Sequence, residues 1–231
     1  MAKDIDEASE MTVAVLIPVY NGGDDVLAVL EGLRPHPVRV LVTDDGSTDG
    51  TARRVEAAGW SVFRNGTRMG KGAAIRRGLM DLFRRWPEAE WVLFMDGDGQ
   101  HLPDEVPRFL GAMTPGADLL QGSRLGEADK FPGYRLRANL WGSRVLYWIS
   151  GQPVPDTQCG YRAIRAQVLR EIEIESSGFE VETEVLLKAL RMGARWRSVP
   201  VSAVYEESQG SHFRPAHDTF RLCMAGLRYA R

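Results

Sequence analysis

Between Trp91 and Pro103 the chain reads WVLFMDGDGQHLP, five apolar residues that break without transition into carboxylates and glycines. Trp91 to Met95 has the unbroken apolar pattern of a strand covered on both faces, as in a parallel sheet. Asp96-Gly97-Asp98-Gly99-Gln100-His101 then makes a tight turn at its carboxyl end, where open α/β sheets bind ligands. Strand geometry directs Asp96 and Asp98 to one side, so both can serve one hard divalent cation. Mg²⁺ or Mn²⁺ held by one or two carboxylates completes its shell with water and phosphate oxygens. The plainer expectation is a hydrophilic turn whose aspartates cap a helix beginning near Pro103.

Upstream, strand and helix patterns alternate without a break in composition. Val13 to Ile17 is an apolar strand stopped by Pro18, and Asn21-Gly22-Gly23 turns into a helix over 24–33. Val38 to Val42 is a second strand, running into Asp44-Asp45-Gly46-Ser47-Thr48-Asp49-Gly50, with a helix over 51–58. Trp60 to Arg64 is a weaker third strand, followed by the glycine-rich Asn65 to Gly72 and a helix over 73–83. Such alternation predicts a wound, mostly parallel sheet flanked by helices in a single α/β domain. Right-handed connections bring Tyr20-Asn21, Asp44-Asp45 and Asp96 to Gln100 to one edge of it. There Asp44 or Asp45 can accept from ribose hydroxyls or a nucleobase edge. Lys71, between two glycines at a helix start, can meet a phosphate, or simply be a solvated lysine.

The second half is less regular. The patterns predict a helix over 107–113, a strand over 118–122 leading to Ser123-Arg124, a mobile loop over 129–133 and an amphipathic helix over 136–149 carrying Trp141, Val145 and Trp148. Asp156-Thr157-Gln158-Cys159-Gly160-Tyr161-Arg162 reads as a polar insertion. An acidic helix over 179–190, a strand over 196–204, a polar loop over 205–215 and a tail helix over 219–231 complete the chain.

With 231 residues, 44% hydrophobic and 26% charged, the composition is that of an ordinary globular protein. A net charge of −2, without basic runs interleaved with aromatics, gives no support for nucleic-acid binding. Two cysteines do not make a disulfide framework, which suits a cytoplasmic location. No stretch reaches the ~18 apolar residues of a membrane span. The polar start, residues 1–10, reads as a disordered leader rather than a signal peptide. Any membrane connection would be peripheral, at the inner face of the cell membrane, or through a membrane partner. Phe213, Phe220, Met224 and Leu227 with Arg214, Arg221 and Arg228 suggest one such contact in the tail.

The order of these motifs resembles family 2 glycosyltransferases of the GT-A fold, especially the dolichyl- and polyprenyl-phosphate mannose or glucose synthases. The stretches that carry the resemblance are Pro18 to Asn21, Asp44 to Thr51, Gly70-Lys71-Gly72, Asp96 to His101, Gly122-Ser123-Arg124, Asp156 to Arg162, and Phe179 with Glu182. It implies a GDP- or UDP-sugar donor, a polyprenyl phosphate acceptor and Mg²⁺ or Mn²⁺ as cofactor. Residues 11–122 would form the nucleotide-sugar-binding half and 123–231 the acceptor-binding half. Pro18, Tyr20, Asn21, Asp44, Asp45, Lys71, Asp96 and Gly97 would hold the nucleotide-sugar. Asp96, Asp98 and Gln100 match the metal and diphosphate motif, with Asp98 the direct ligand. Ser123, Arg124, Arg135, Arg137 and Arg214 would face the acceptor, Arg214 also reaching the diphosphate.

An anionic phosphate acceptor needs no general base, only arginines that place it. A sugar or other hydroxyl acceptor would need one, and Asp156 is then the candidate. His101, at a helix entrance beside the carboxylates, suits a supporting role. A non-catalytic nucleotide-sugar-binding module is the alternative from another class, disfavoured by the Asp96/Asp98 pair. A dinucleotide fold is disfavoured because Ile75 replaces the third glycine of G-x-G-x-x-G.

Overall fold

A computed structural model describes residues 11–130 and 133–204. The expected leader, polar loop and tail helix, with Arg214 and the tail's membrane contact, lie outside the described residues. So does the side chain of Arg135. In chain order the elements are β1 (Val13–Val19), α1 (Gly23–Leu33), β2 (Arg39–Asp44), α2 (Thr51–Ala57), β3 (Ser61–Arg64), α3 (Lys71–Arg85) and β4 (Trp91–Phe94). They continue with α4 (Val106–Ala112), β5 (Leu119–Ser123), α5 (Gly133–Ser150), β6 (Arg162–Arg165), α6 (Ala166–Glu171), α7 (Val181–Arg191) and β7 (Trp196–Pro200).

The strands form one seven-stranded sheet in the order β3-β2-β1-β4-β6-β5-β7. All run the same way except β6, which is antiparallel to both β4 and β5. The expected mostly parallel α/β sheet is therefore correct. The continuous apolar strands have the cause inferred for them, since both faces of the sheet are covered. Val13, Val15 and Ile17 of β1 pack on one side with Leu30 of α1, Val55 of α2 and Phe109 of α4. Ala14 and Leu16 pack on the other with Ile75 and Leu79 of α3, together with Val185 and Leu186 of α7. Period-two alternation thus sends neighbouring residues into different cores.

Pro18 does not stop β1, which continues in register to Val19 opposite Asp44. The Leu16 carbonyl accepts from Met95 N–H on the β4 side at 3.2 Å. Two residues on, Pro18 faces that same side, where the β4 ladder has ended at Phe94. Its missing N–H is not required there.

β6 and α6 are absent from the sequence expectations. The segment 162–165 reads RAIR, and its two arginines hide a central strand. Both donate to backbone oxygens: Arg162 to the Glu182, Thr157 and Cys159 carbonyls, and Arg165 to those of Ala117 and Thr114. Of the expected loop over 129–133, residues 129–130 close a 3-10 turn (Leu125–Lys130), Gly133 opens α5, and the residues between lie outside the described ones. The expected helix over 136–149 is α5, with Trp141 and Trp148 on its outward face and Asn139 and Leu146 buried.

Candidate active site

The carboxyl ends of β1, β2, β4 and β5 share one edge of the sheet. Because β6 runs backward, the Asp156 to Tyr161 segment that precedes it lies at the same edge.

The first three loops are laced together by side chains. Asn21, in the left-handed region at φ 52°, receives Thr48 N–H on Oδ1 at 2.9 Å, while its own N–H donates to Ser47 Oγ at 2.8 Å. Gly23 N–H donates to Asp49 Oδ2 and Thr51 Oγ1. The residues between Asp44 and Thr51 are thus mainly loop scaffolding. Asp44, buried, caps its own turn by accepting from Ser47 N–H at 3.1 Å. Asp45, also buried, accepts from Asn65 Nδ2, Met69 N–H and Gly70 N–H at 2.7–2.9 Å. It ties β2 to the glycine-rich loop. Tyr20 stands half exposed at this edge with the Arg68 guanidinium 4.1 Å from its ring centroid, beside partly buried Pro18.

Gly70 and Gly72 allow that loop to press against the chain at Ser176 and Ser177. A Cβ on Gly72 would lie 2.2 Å from the Ser176 carbonyl oxygen, and one on Gly70 2.3 Å from that of Ser177. Glu184, fully buried on α7, anchors this second wall by accepting from Glu175 and Ser176 N–H at 2.8 Å. The close approach brings Lys71 inward. Its Nζ lies 2.7 Å from Asp96 Oδ1 and 2.6 Å from Glu182 Oε1, with the side chain only 15% exposed. Lys71 is therefore not a solvated loop lysine. Burial opposes its charge, but the two carboxylates outweigh burial and hold the ammonium above its usual range. Burial likewise works against the Asp96 carboxylate, yet Lys71, with His101 and Arg162 adding, holds it down at about 2.

Asp98 stands at the exposed tip of the turn. Its carboxylate accepts from Gln100 N–H and Gln100 Nε2, both at 3.0 Å. Partial burial by the surrounding walls, then the charge of Asp96, raise its carboxyl above the ordinary range. The turn thus carries one negative charge more than its lysine neutralises. Gly97 between the two aspartates lets the turn lie on α1, since a Cβ there would meet Val26 and Ile17 at 3.2–3.3 Å. Among the described residues no cluster of three or more His, Cys, Asp or Glu side chains forms a closed metal cage. Two carboxylates and the Gln100 amide oxygen still fit a hard cation that takes its remaining ligands from water and phosphate.

His101 is buried and stacks on Tyr161, ring centroids 4.8 Å apart. Its Nδ1 accepts Asp96 N–H at 2.9 Å, so the ring is neutral with its proton on Nε2. Burial pushes its pKa down to about 4, and the charges of Lys71 and Arg124 act in the same direction. Its contact is with the backbone of the turn, which it supports. Below pH of about 6.5 the unfolded chain takes up a proton that the folded chain refuses until about pH 4. Stability therefore falls as pH drops through that window, by on the order of 3 kcal/mol. Urea unfolding across the window should show this slope, and His101→Gln, which keeps an acceptor for Asp96 N–H, should lose it.

Asp156 is fully buried, in the left-handed region at φ 46°. Its Oδ2 accepts from Arg124 N–H and Nε at 2.8 and 2.9 Å, and its Oδ1 from Arg124 Nη2 and Asn139 Nδ2 at 2.8 and 2.7 Å. All four of these donors are already placed on the carboxylate. It positions Arg124. Gln121 Nε2 reinforces the same turn through the Asp156 and Cys159 carbonyls. Gly160 closes the edge: a Cβ there would meet Glu182 Oε1, His101 Cε1 and Asp96 Oδ2 at 3.0–3.4 Å. Burial pushes the Cys159 thiol up to about 12, so it is inert.

The structure thus brings Lys71, Asp96, His101, Gly160 and Glu182 into one cluster, with Asp98 and Gln100 on its turn. Arg124 with Asp156 is near enough for its charge to act on His101. Ser123, partly buried, ends β5 beside Arg124, and Arg137 is exposed on the second turn of α5. Asn139, Gln121 and Asn65 carry no signal in the sequence beyond being polar residues in or beside apolar elements.

The carboxyl edge of the sheet thus carries a carboxylate turn, a buried lysine and an arginine held by a carboxylate. The chain belongs to glycosyl transferase family 2, whose pattern matches residues 14–173, and it is a glycosyltransferase. It is 33% identical to an undecaprenyl-phosphate mannosyltransferase of Micrococcus luteus, over 85% of each chain. It is 30% identical to a polyprenol monophosphomannose synthase of Mycolicibacterium smegmatis, over 93% of this chain and 86% of that one. Identity to glycosyltransferase AglJ of Haloferax volcanii is 34% over 86% of this chain, which spans 65% of that relative's length. Among solved structures, glucosyl-3-phosphoglycerate synthase of Mycobacterium tuberculosis, in complex with Mn²⁺, UDP and glucosyl-3-phosphoglycerate, superimposes with a TM-score of 0.71 at 22% identity. The match covers 96% of this chain and 80% of that one. The shared fold is GT-A.

Proposed function

We propose that the protein moves a hexose from GDP- or UDP-sugar to a polyprenyl phosphate, inverting the anomeric centre, with Mg²⁺ or Mn²⁺ as cofactor. Residues 11–122 supply the donor contacts and 123–231 the acceptor contacts. One observation carries the choice of acceptor. Among the described residues, three candidate proton acceptors at the edge are already engaged: Asp156 by Arg124 and Asn139, Glu182 by Lys71, and His101 by Asp96 N–H, while this reading gives Asp96 and Asp98 to the cation. A hydroxyl nucleophile needs a base, whereas a phosphate is anionic near neutral pH and needs only placement. The names of the two mannosyl-transferring relatives point to the same acceptor class.

In this reading Tyr20, Asp45 and the loop ending at Lys71 hold the nucleoside side of the donor. Asp96, Asp98 and Gln100 would hold the cation, which when bound supplies positive charge to the diphosphate. Lys71 keeps Asp96 ionised and oriented. Arg124, locked by Asp156, presents guanidinium charge to the acceptor phosphate. The phosphate oxygen attacks the anomeric carbon opposite the departing nucleoside diphosphate, and no proton has to be removed from it.

The test is incubation with radiolabelled GDP-mannose, UDP-glucose or UDP-N-acetylglucosamine and a short polyprenyl phosphate. Label extracted into organic solvent as an acid-labile glycolipid is expected from one donor. Label appearing only in water-soluble glycans would overturn the lipid-phosphate reading.

A further inference from the structure

α5 has two faces of different chemistry. The inner face braces the site: Asn139 Nδ2 donates to Asp156, the Ala138 carbonyl accepts from Gln158 Nε2 at 3.4 Å, and Ser143 Oγ lies 3.2 Å from Thr157 Oγ1. The outer face carries Leu140, Trp141, Tyr147 and Trp148, with Trp148 76% and Trp141 53% exposed. Half of the exposed large hydrophobic side chains among the described residues belong to this helix. Arg137 and Arg144 stand exposed between them, and α5 contains no aspartate or glutamate. At 100° per residue these six side chains fall within an arc of roughly 120°, away from buried Asn139 and Leu146.

From this we infer that the outer face of α5 lies on an anionic phospholipid surface, so that one helix joins the membrane to the Arg124–Asp156 pair. Tryptophan and tyrosine rings suit the headgroup level of a bilayer, apolar on one side and hydrogen-bonding on the other. The arginines between them meet lipid phosphates, and the absence of carboxylates removes repulsion from a negative surface. A second copy of the chain is a poor occupant, because an isologous contact would press like-charged arginines together. No described helix is long and apolar enough to cross a membrane, and α5 would lie along the surface. The inference rests on the lipid-phosphate reading: a polyprenyl chain keeps its phosphate at headgroup level, where this helix would hold the acceptor end of the site.

Flotation of the full chain with phosphatidylcholine vesicles, with and without phosphatidylglycerol, tests it. Binding to the anionic vesicles, weakened by salt, is expected, with quenching of tryptophan emission by brominated lipid. Trp141→Gln/Trp148→Gln should weaken binding about tenfold and lose most of the quenching. The double variant should keep its melting temperature, because both rings are exposed. It should still glycosylate a short, water-soluble polyprenyl phosphate while slowing on a long one embedded in vesicles. Unchanged vesicle binding in the double variant, binding indifferent to lipid charge, or a change from dimer to monomer on substitution would each overturn the surface. Loss of transfer to the soluble acceptor by the native chain would instead overturn the lipid-phosphate reading.

Discussion

Replacing Asp98 with alanine is expected to lower kcat/KM by about 10³-fold while leaving the melting temperature unchanged or slightly raised. Its only described partners are the backbone N–H and side-chain amide of Gln100, its neighbour on an exposed turn. Its carboxyl is raised by partial burial and by the charge of Asp96, so the fold gains nothing from its ionised form. Stability and activity should therefore separate at this position. A chelator should bring the native enzyme to the level of Asp98→Ala and lower the variant no further, since both would remove the same interaction. Native turnover that persists in EDTA would refute the cation assignment. At Asp96 the same substitution is less informative, because it also strips Lys71 of a partner at 2.7 Å.

Removing the Asp156 carboxylate should have the largest effect on stability. Asp156→Ala removes a fully buried carboxylate that accepts from both the Arg124 guanidinium and the Asn139 amide. Breaking such a pair from one side costs about 3–5 kcal/mol, and the left-handed backbone at 156 adds strain for alanine. Urea unfolding measures the loss. Asp156→Asn keeps volume and tolerates the backbone, so its kinetics separate two roles. If the carboxylate positions Arg124, KM for the acceptor phosphate should rise about tenfold with kcat changed less. If it were a general base, kcat would fall by about 10²–10⁴ with KM for the acceptor preserved.

The fold was legible where burial on both faces imposes continuous apolar runs, as in β1, β2 and β4. It was illegible at β6, where Arg162 and Arg165 meet backbone carbonyls that no local pattern reveals. Pro18 misled because a strand can lose an N–H where its neighbour has already ended. At the site, residue types and order announced the DGDG turn and the edge it occupies. Partnerships were hidden, since they join distant segments. Lys71 meets Glu182 across 111 positions, and Asp156 is 32 positions from the guanidinium it grips. That last pairing is what favours a positioning role for Asp156 over a base. The spacing of Trp141 and Trp148 announced a helix, but helical spacing of aromatics marks a coherent face without saying whether protein or something else covers it.

The reversed strand has an evolutionary corollary. β5 precedes β6 in the chain but lies beyond it in the sheet, and β6 alone joins β5 and β7 to β4. A hybrid made by joining one relative up to Ser123 to another from Arg124 onward would have to match three seams at once: β4 to β6, β6 to β5 and β5 to β7. New specificities in such a scaffold should accumulate by point changes in the loops and on α5, rather than by exchange of halves.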